Sequence, residues 1–164
     1  MIGFLDVGYP STGGALSALG IAEDWSSLTF HKTLTKTFSD VASYESGKFY
    51  LRELPCLLGV IQPSITDIKV LVVDGNVWLD DGKDGLGAHL WRHYHEKIPV
   101  VGIAKSSFHR GVAKPVFRET SKNPLWVSSA GLSIEEAVKF VGSMAGKYRI
   151  PTLCKEIDRI SKTK

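Results

Sequence analysis

Apolar positions along the chain follow two rhythms, and the rhythm changes locate its elements. Ile2-Gly-Phe-Leu-Asp6-Val-Gly-Tyr9 is a short apolar run with one embedded acid, which predicts a buried strand. After the turn residues Pro10-Ser-Thr-Gly-Gly14, a second strand is expected over Gly13–Ala22. Leu28–Thr35 alternates with period two and predicts a half-buried third strand. Short links between these three make an antiparallel meander. Beyond a loop around Ser43–Gly47, Leu54, Leu57, Leu58 and Ile61 recur at helical spacing. Pro55 suits a first turn, so the helix is expected to begin near Leu54, with Glu53 at its mouth. Ile68–Val73 predicts a buried strand with Asp74-Gly-Asn76 at its end, Gly85–Lys97 a helix, and Pro99–Ala104 another buried strand leading to Lys105. Two short strand-like pieces follow, Lys114–Glu119 and Pro124–Ser128. The last helix expected starts at Ser133, where Ser-Ile-Glu-Glu is a capping-box pattern and Ala137, Phe140, Val141 and Met144 supply an apolar face. Three strands, then helix–strand–helix–strand–helix, predict a mixed sheet flanked by helices.

The 164 residues suit one domain over 1–164, and a hydrophobic share of 43% is enough for one core. No apolar run approaches the roughly 20 residues that a membrane helix needs. The opening MIGFLDVGYP lacks the basic region and cleavage site of a signal peptide, so a cytoplasmic, membrane-free protein is expected. Cys56 and Cys154 match no metal or redox spacing and are read as reduced thiols. The net charge of +3 conceals an asymmetry: residues 1–100 carry 8 Lys+Arg against 12 Asp+Glu, and residues 101–164 carry 12 against 5. A basic half draws polyanions, although solvated surface lysines give the same composition.

Three carboxylates stand where strands end or helices begin: Asp6 inside an apolar strand, Glu53 at a helix mouth, and Asp74 closing another strand. Each alone has a plain structural use, as a turn former, a partner for Arg or a helix-dipole complement. Together in one place they would repel one another, and a divalent cation would relieve that repulsion. Hard oxygen ligands suit Mg²⁺ or Mn²⁺, which can promote phosphodiester cleavage.

At these same residues the chain resembles the endonuclease V family. Leu5-Asp6-Val-Gly-Tyr9 is similar to the family's first-strand Asp-Val-Xaa-Tyr motif. Tyr44-Glu-Ser-Gly-Lys-Phe-Tyr-Leu-Arg-Glu53 resembles its Tyr-Xaa-Pro-Gly-Xaa-Xaa-Xaa-Phe-Arg-Glu segment. Val73-Asp-Gly-Asn76 followed by Gly85-Leu-Gly-Ala-His-Leu90 resembles its Asp-Gly-Asn…Gly-Xaa-Ala-Ser-His-Leu block. Val101-Gly-Ile-Ala-Lys-Ser106, Asn123-Pro-Leu-Trp-Val-Ser128 and Tyr148-Arg-Ile-Pro151 resemble its later Gly-Val-Ala-Lys-Ser, Asn-Pro-Val-Tyr-Val-Ser and Tyr-Arg-Leu-Pro pieces. The resemblance implies a ribonuclease H-like fold and a nuclease that cuts DNA or RNA near inosine with Mg²⁺ (or Mn²⁺). It implies Asp6, Glu53 and Asp74 as metal ligands and Lys105 beside the scissile phosphate. Tyr44, in the place of the strand-separating wedge, Gly75, Trp78 and Ser106 are the residues expected to meet substrate.

The departures bear on catalysis. Asp80-Asp-Gly-Lys-Asp84 replaces the family's basic His-Pro-Arg-Arg stretch, and Glu45-Ser46 replaces an apolar pair in the wedge. Ser128-Ser-Ala-Gly-Leu132 replaces a Pro-Gly-His turn and has no histidine; restoring one at Ala130 or Gly131 is expected to raise activity. The chain also starts at the first strand, without the N-terminal helix usual in the family. The expectations are therefore a metal-dependent endonuclease with impaired catalysis or, alternatively, a non-catalytic nucleic-acid-binding or interaction protein on the same fold. Asp80, Asp81 or Asp84 could add a ligand, and His109 could replace the lost histidine. His89 and His93 share a helix face but lack a third ligand, so packing is expected of them. Of the four tryptophans, Trp78 stands nearest the acidic motif, and packing is the commoner use of all four.

Overall fold

The computed structural model describes residues 1–46, 48–79, 82–107 and 112–163, so Asp80, Asp81 and His109 lie outside the described residues. Seven strands are described: β1 (Ile2–Gly8), β2 (Ala15–Ala22), β3 (Lys32–Phe38), β4 (Val70–Asp74), β5 (Val100–Ala104), β6 (Lys114–Val116) and β7 (Leu125–Ala130). They form one sheet in the order β3-β2-β1-β4-β5-β7-β6. β1, β2 and β3 are the antiparallel meander; β1, β4 and β5 run parallel; β7 returns antiparallel beside β5. The helices are α1 (Tyr50–Ile61), α2 (Leu86–His93), α3 (Ile134–Ser143) and α4 (Thr152–Ser161). None of the described helices is long and apolar enough to cross a membrane.

Strand periodicity divides the core into two layers. Leu5, Val7, Leu71 and Val73 meet Cys56, Leu57 and Ile61 of α1 and Leu90 of α2. Phe4, Val72, Val101 and Ile103 point the other way and meet Ala137 and Val141 of α3 and Leu153 and Ile157 of α4. Ser133 caps α3, its hydroxyl accepting from the Glu136 N–H at 3.2 Å, as the capping pattern predicts.

Several boundaries differ from expectation. The third strand begins at Lys32 instead of Leu28, because Asp24 accepts from the Ser26 N–H and hydroxyl and holds a turn there; Leu28 is left 70% exposed. α1 begins at Tyr50, which puts Glu53 in its first turn and Pro55 inside the helix. The missing Pro55 N–H frees the carbonyl of Leu51, a residue on the exposed side. α2 stops at His93, since His95 and Glu96 adopt positive φ values of 54° and 61° that end a right-handed helix. β6 stops at Val116 and β7 runs on to Ala130. α4 was not expected at all.

Candidate active site

Parity and register bring the first two acids together. Asp6 follows Ile2 and Phe4 on the α4 side of β1, and Asp74 follows Val70 and Val72 on the same side of β4. Leu5 is level with Val73 in the parallel ladder, so Asp6 and Asp74 are the next neighbours along it. Adjacent strands are about 4.8 Å apart. Glu53 arrives from the opposite layer, in the first turn of α1, where the helix dipole favours a negative charge. Crevices at the carboxyl ends of parallel strands are where α/β sheets collect ligands. Here the crevice has a volume of about 650 Å³, and Asp6, Glu53, Asp74, Gly75, Lys105 and Ser106 all line it.

A fourth carboxylate, Asp158 of α4, lines the same cleft. The sequence reading missed both the residue and its helix. The available signal was Leu153, Ile157 and Ile160 at i, i+4 and i+7 behind Pro151. α4 is anchored on β1 by Ser161, whose hydroxyl donates to Asp6 Oδ2 at 2.6 Å. That approach requires Gly8, because a Cβ there would stand 2.1 Å from the Ser161 carbonyl oxygen. Lys162 Nζ pairs with Asp158 at 2.8 Å.

The acids sit in an electrostatic environment that resists their ionisation. Burial, then Asp6 and Asp74, push Glu53 up to about 8, against the Tyr9 hydroxyl and Arg52. Burial first lifts Asp6 to about 6; the Ser161 hydrogen bond opposes this, and Asp74 and Asp158 add to it. Asp74 is exposed at the end of β4, yet desolvation by the cleft walls raises it as well, with Lys105 pulling it back down. Clustered carboxylates whose ionisation is opposed first by burial and then by one another's charge are a donor set that a hard divalent cation fits. Their side chains line the cleft without converging: among the described residues no three His, Cys, Asp or Glu close on one point as ligands of a single ion.

Next to the carboxylates, Tyr44, Phe49, Tyr50, Gly75, Asn76 and Leu86 line a pocket of about 350 Å³, so Tyr44 and Gly75 of the expected substrate residues come together. Trp78 does not join them. Its Nε1 donates to the Ser129 carbonyl at 2.9 Å and its ring packs edge-on against Trp91. Asp84 is held by Arg92, whose Nε donates to it at 2.6 Å. His89 stacks on Tyr50 with centroids 3.6 Å apart, the packing role expected of it, whereas His93 is exposed and lies edge-on to its neighbour Tyr94.

The loop that resembles the family's Pro-Gly-His turn is in the wrong place to act. β7 is antiparallel to β5, with Ala104 opposite Trp126 and Val100 opposite Ala130. Ala130 and Gly131 therefore lie at the far end of the sheet from the cleft. Ala130 is buried in the core, and Ser128 accepts from the Val77 N–H at 2.9 Å.

Comparison with known proteins settles the kinship. The family model described as Endonuclease V matches residues 1–128. The chain belongs to the endonuclease V family. Endonuclease V from Nostoc punctiforme is 23% identical over 142 residues, which cover 74% of this chain; the chain spans 63% of that relative's length. Among solved structures, Ciona intestinalis endonuclease V in complex with a 24mer DNA containing an inosine superposes with a TM-score of 0.80 at 20% identity, covering 98% of this chain and 83% of that one. The catalytic domain of human endonuclease V gives 0.78 at 24% identity, covering 98% and 80%. The seven-stranded mixed sheet of this chain is the fold of those structures. α4, with Asp158, lies beyond the residues that the family model matches.

Proposed function

We propose that this chain is a metal-dependent endonuclease that cuts inosine-containing DNA or RNA slowly. The observation that carries the reading is the gathering of Asp6, Glu53, Asp74 and Asp158 around one cleft with Lys105 at its edge. Asp6, Glu53 and Asp74 would hold Mg²⁺ or Mn²⁺, with Asp158 alongside. A hard divalent cation bound there supplies charge stabilisation at the phosphoryl group. Ser161 fixes the Asp6 carboxylate through Oδ2 and leaves its other oxygen free of that bond. Lys105 offsets charge developing on the scissile phosphate. The Tyr44–Gly75 pocket receives the base, where Gly75 admits close backbone approach and the Phe49 ring offers a flat face. Ser106 lines the phosphate path.

The test is cleavage of a single-stranded oligonucleotide carrying one hypoxanthine, with Mg²⁺ or Mn²⁺, by the wild type and by Asp74→Asn. Cleavage lost in the variant supports the reading. A wild type that neither cuts nor takes up Mn²⁺ in isothermal titration overturns it. The pairing of Asp158 with Lys162 favours a second reading, in which the cleft binds nucleic acid without cutting it. Salt-dependent binding without cleavage is its signature.

A further inference from the structure

We propose that a second, apolar cavity beside the carboxylate cleft is a nucleotide subsite, which takes one base of the strand on the side of the cut away from the inosine. The proposal rests on the nucleic-acid reading above and extends it to a part of the molecule that reading leaves unused. The cavity has a volume of about 250 Å³ and lies between the sheet and α4. Its mouth is formed by Asp6, Asp74, Lys105 and Asp158, which line the main cleft as well. The Tyr44–Gly75 pocket shares Phe49, Asp74, Gly75 and Asn76 with that cleft from the other side. Base pocket, carboxylates and apolar cavity thus stand in a row. A strand with its inosine in the first and its scissile phosphate at the second carries its next nucleotide past Lys105 to the third.

The walls suit a base and little else. Phe4, Val72, Ile103 and Leu125 form the floor, and Ile150, Pro151 and Cys154 the side along α4. The volume is below the roughly 300–1,000 Å³ of pockets that enclose a drug-sized ligand, which leaves room for one flat ring system. Protein interiors are close-packed, so an apolar void opening onto a charged cleft calls for an occupant. The Cys154 thiol is kept neutral by burial, which pushes it up to about 12, so it acts as a small apolar wall and not as a nucleophile. With no hydrogen-bond donors among the floor side chains, the cavity cannot read base edges and accepts any base. Lys105 and Lys155 at the rim are placed for the flanking phosphates.

The test is an abasic scan. Labelled single strands carry one hypoxanthine and one abasic residue moved stepwise along either side. Their binding to the wild type is read by fluorescence anisotropy in Ca²⁺, and their cleavage in Mn²⁺ is measured in parallel. The expected result is one position, beyond the cut, where losing the base weakens binding about tenfold, whatever base the intact strand has there. Cys154→Phe, which fills the cavity, is expected to weaken the intact strand to the abasic level and erase the difference; Cys154→Ala is expected to retain it. A flat scan beyond the cut overturns the proposal even if cleavage proceeds, and so does a discrimination that survives in a folded Cys154→Phe protein. A position-specific loss of binding without cleavage supports the subsite while overturning the proposed catalysis. Failure of every strand to bind overturns both. Should Cys154→Phe fail to fold, the wild-type scan alone decides.

Discussion

At the scale of residues, the cleft holds a cost that protons or a cation can relieve. Glu53 near 8 and Asp6 near 6 both stand above their ordinary values of 4.5 and 3.8. The folded chain therefore binds more protons than the unfolded chain between those limits, and its stability is lost as pH rises through about 6 and then about 8. Without divalent metal, the Tm at pH 9 is expected to be lower than at pH 5.5 by roughly 5 °C. Glu53→Gln should flatten the part of the profile between pH 6 and 8. A cation competes with those protons, so added Mn²⁺ should raise the Tm more at pH 8 than at pH 5.5. Scanning calorimetry with chelator and with Mn²⁺ checks all three, and a flat metal-free profile would contradict the raised values of Glu53 and Asp6. Lys105 has a different support: Arg149 donates to its backbone carbonyl and to that of Pro124, the latter at 2.7 Å. Arg149→Met is expected to release Lys105 and lower kcat about tenfold with KM little changed, whereas Arg149→Lys should recover part of the rate. Equal kcat in Arg149→Met and wild type would show that Lys105 holds its place unaided.

At the scale of elements, placement depends on contacts that sequence periodicity does not report. β1, β4 and β5 were legible because they are continuous apolar runs buried on both faces. β3 was displaced because it is a mostly exposed edge strand, and alternation continues across both the expected and the observed ranges. α4 is rich in charge, and its four apolar residues, Leu153, Cys154, Ile157 and Ile160, gain meaning only from the sheet face that they cover. The position expected to take a restoring histidine is remote from the cleft for a similar reason, since motif order along the chain does not say which end of an antiparallel strand faces the cleft. Gly131 has a φ of 75°, and a Cβ there would stand 2.8 Å from Trp91 Nε1. Gly131→His is therefore expected to destabilise the fold by about 1–3 kcal/mol without raising cleavage. Urea unfolding and an activity assay on that variant check both parts. Arg118, one charged residue in a loop, gives no periodic signal either. It is 4% exposed, and its guanidinium donates to the carbonyls of Val141 at 3.0 Å, Met144 at 2.9 Å and Gly146 at 3.1 Å, tying the end of α3 to the segment that leads into α4. Arg118→Met leaves those carbonyls unpaired and is expected to cost about 3 kcal/mol or more in the same unfolding assay.

At the scale of the whole molecule, the three acids marked in the sequence do share a cleft, because β1 and β4 are parallel neighbours and the first turn of α1 brings Glu53 to it. The same geometry gives the charge asymmetry a direction. The acid-rich first hundred residues supply Asp6, Glu53 and Asp74, while the basic remainder supplies Lys105, Lys155 and Lys162 around them. A strand lying along this row would contact a centre that repels phosphate until a cation fills it, and a rim that attracts phosphate at all times. Binding should then separate into two contributions. The rim contribution falls with salt through counterion release, with a slope in log–log form of about −0.7 for each phosphate contacted by a single strand. The centre contribution appears only with divalent metal. Lys105→Ala is expected to reduce the salt slope by roughly 0.7 while leaving the metal-dependent gain in affinity in place. Asp6→Asn is expected to do the reverse, abolishing the metal gain and leaving the slope nearly unchanged, because it removes a proposed ligand while keeping every rim lysine. Anisotropy titrations from 50 to 200 mM salt, with and without Mn²⁺, resolve the two. An Asp6→Asn protein that keeps its full metal gain would mean that the cation is held elsewhere than between β1, β4 and α1.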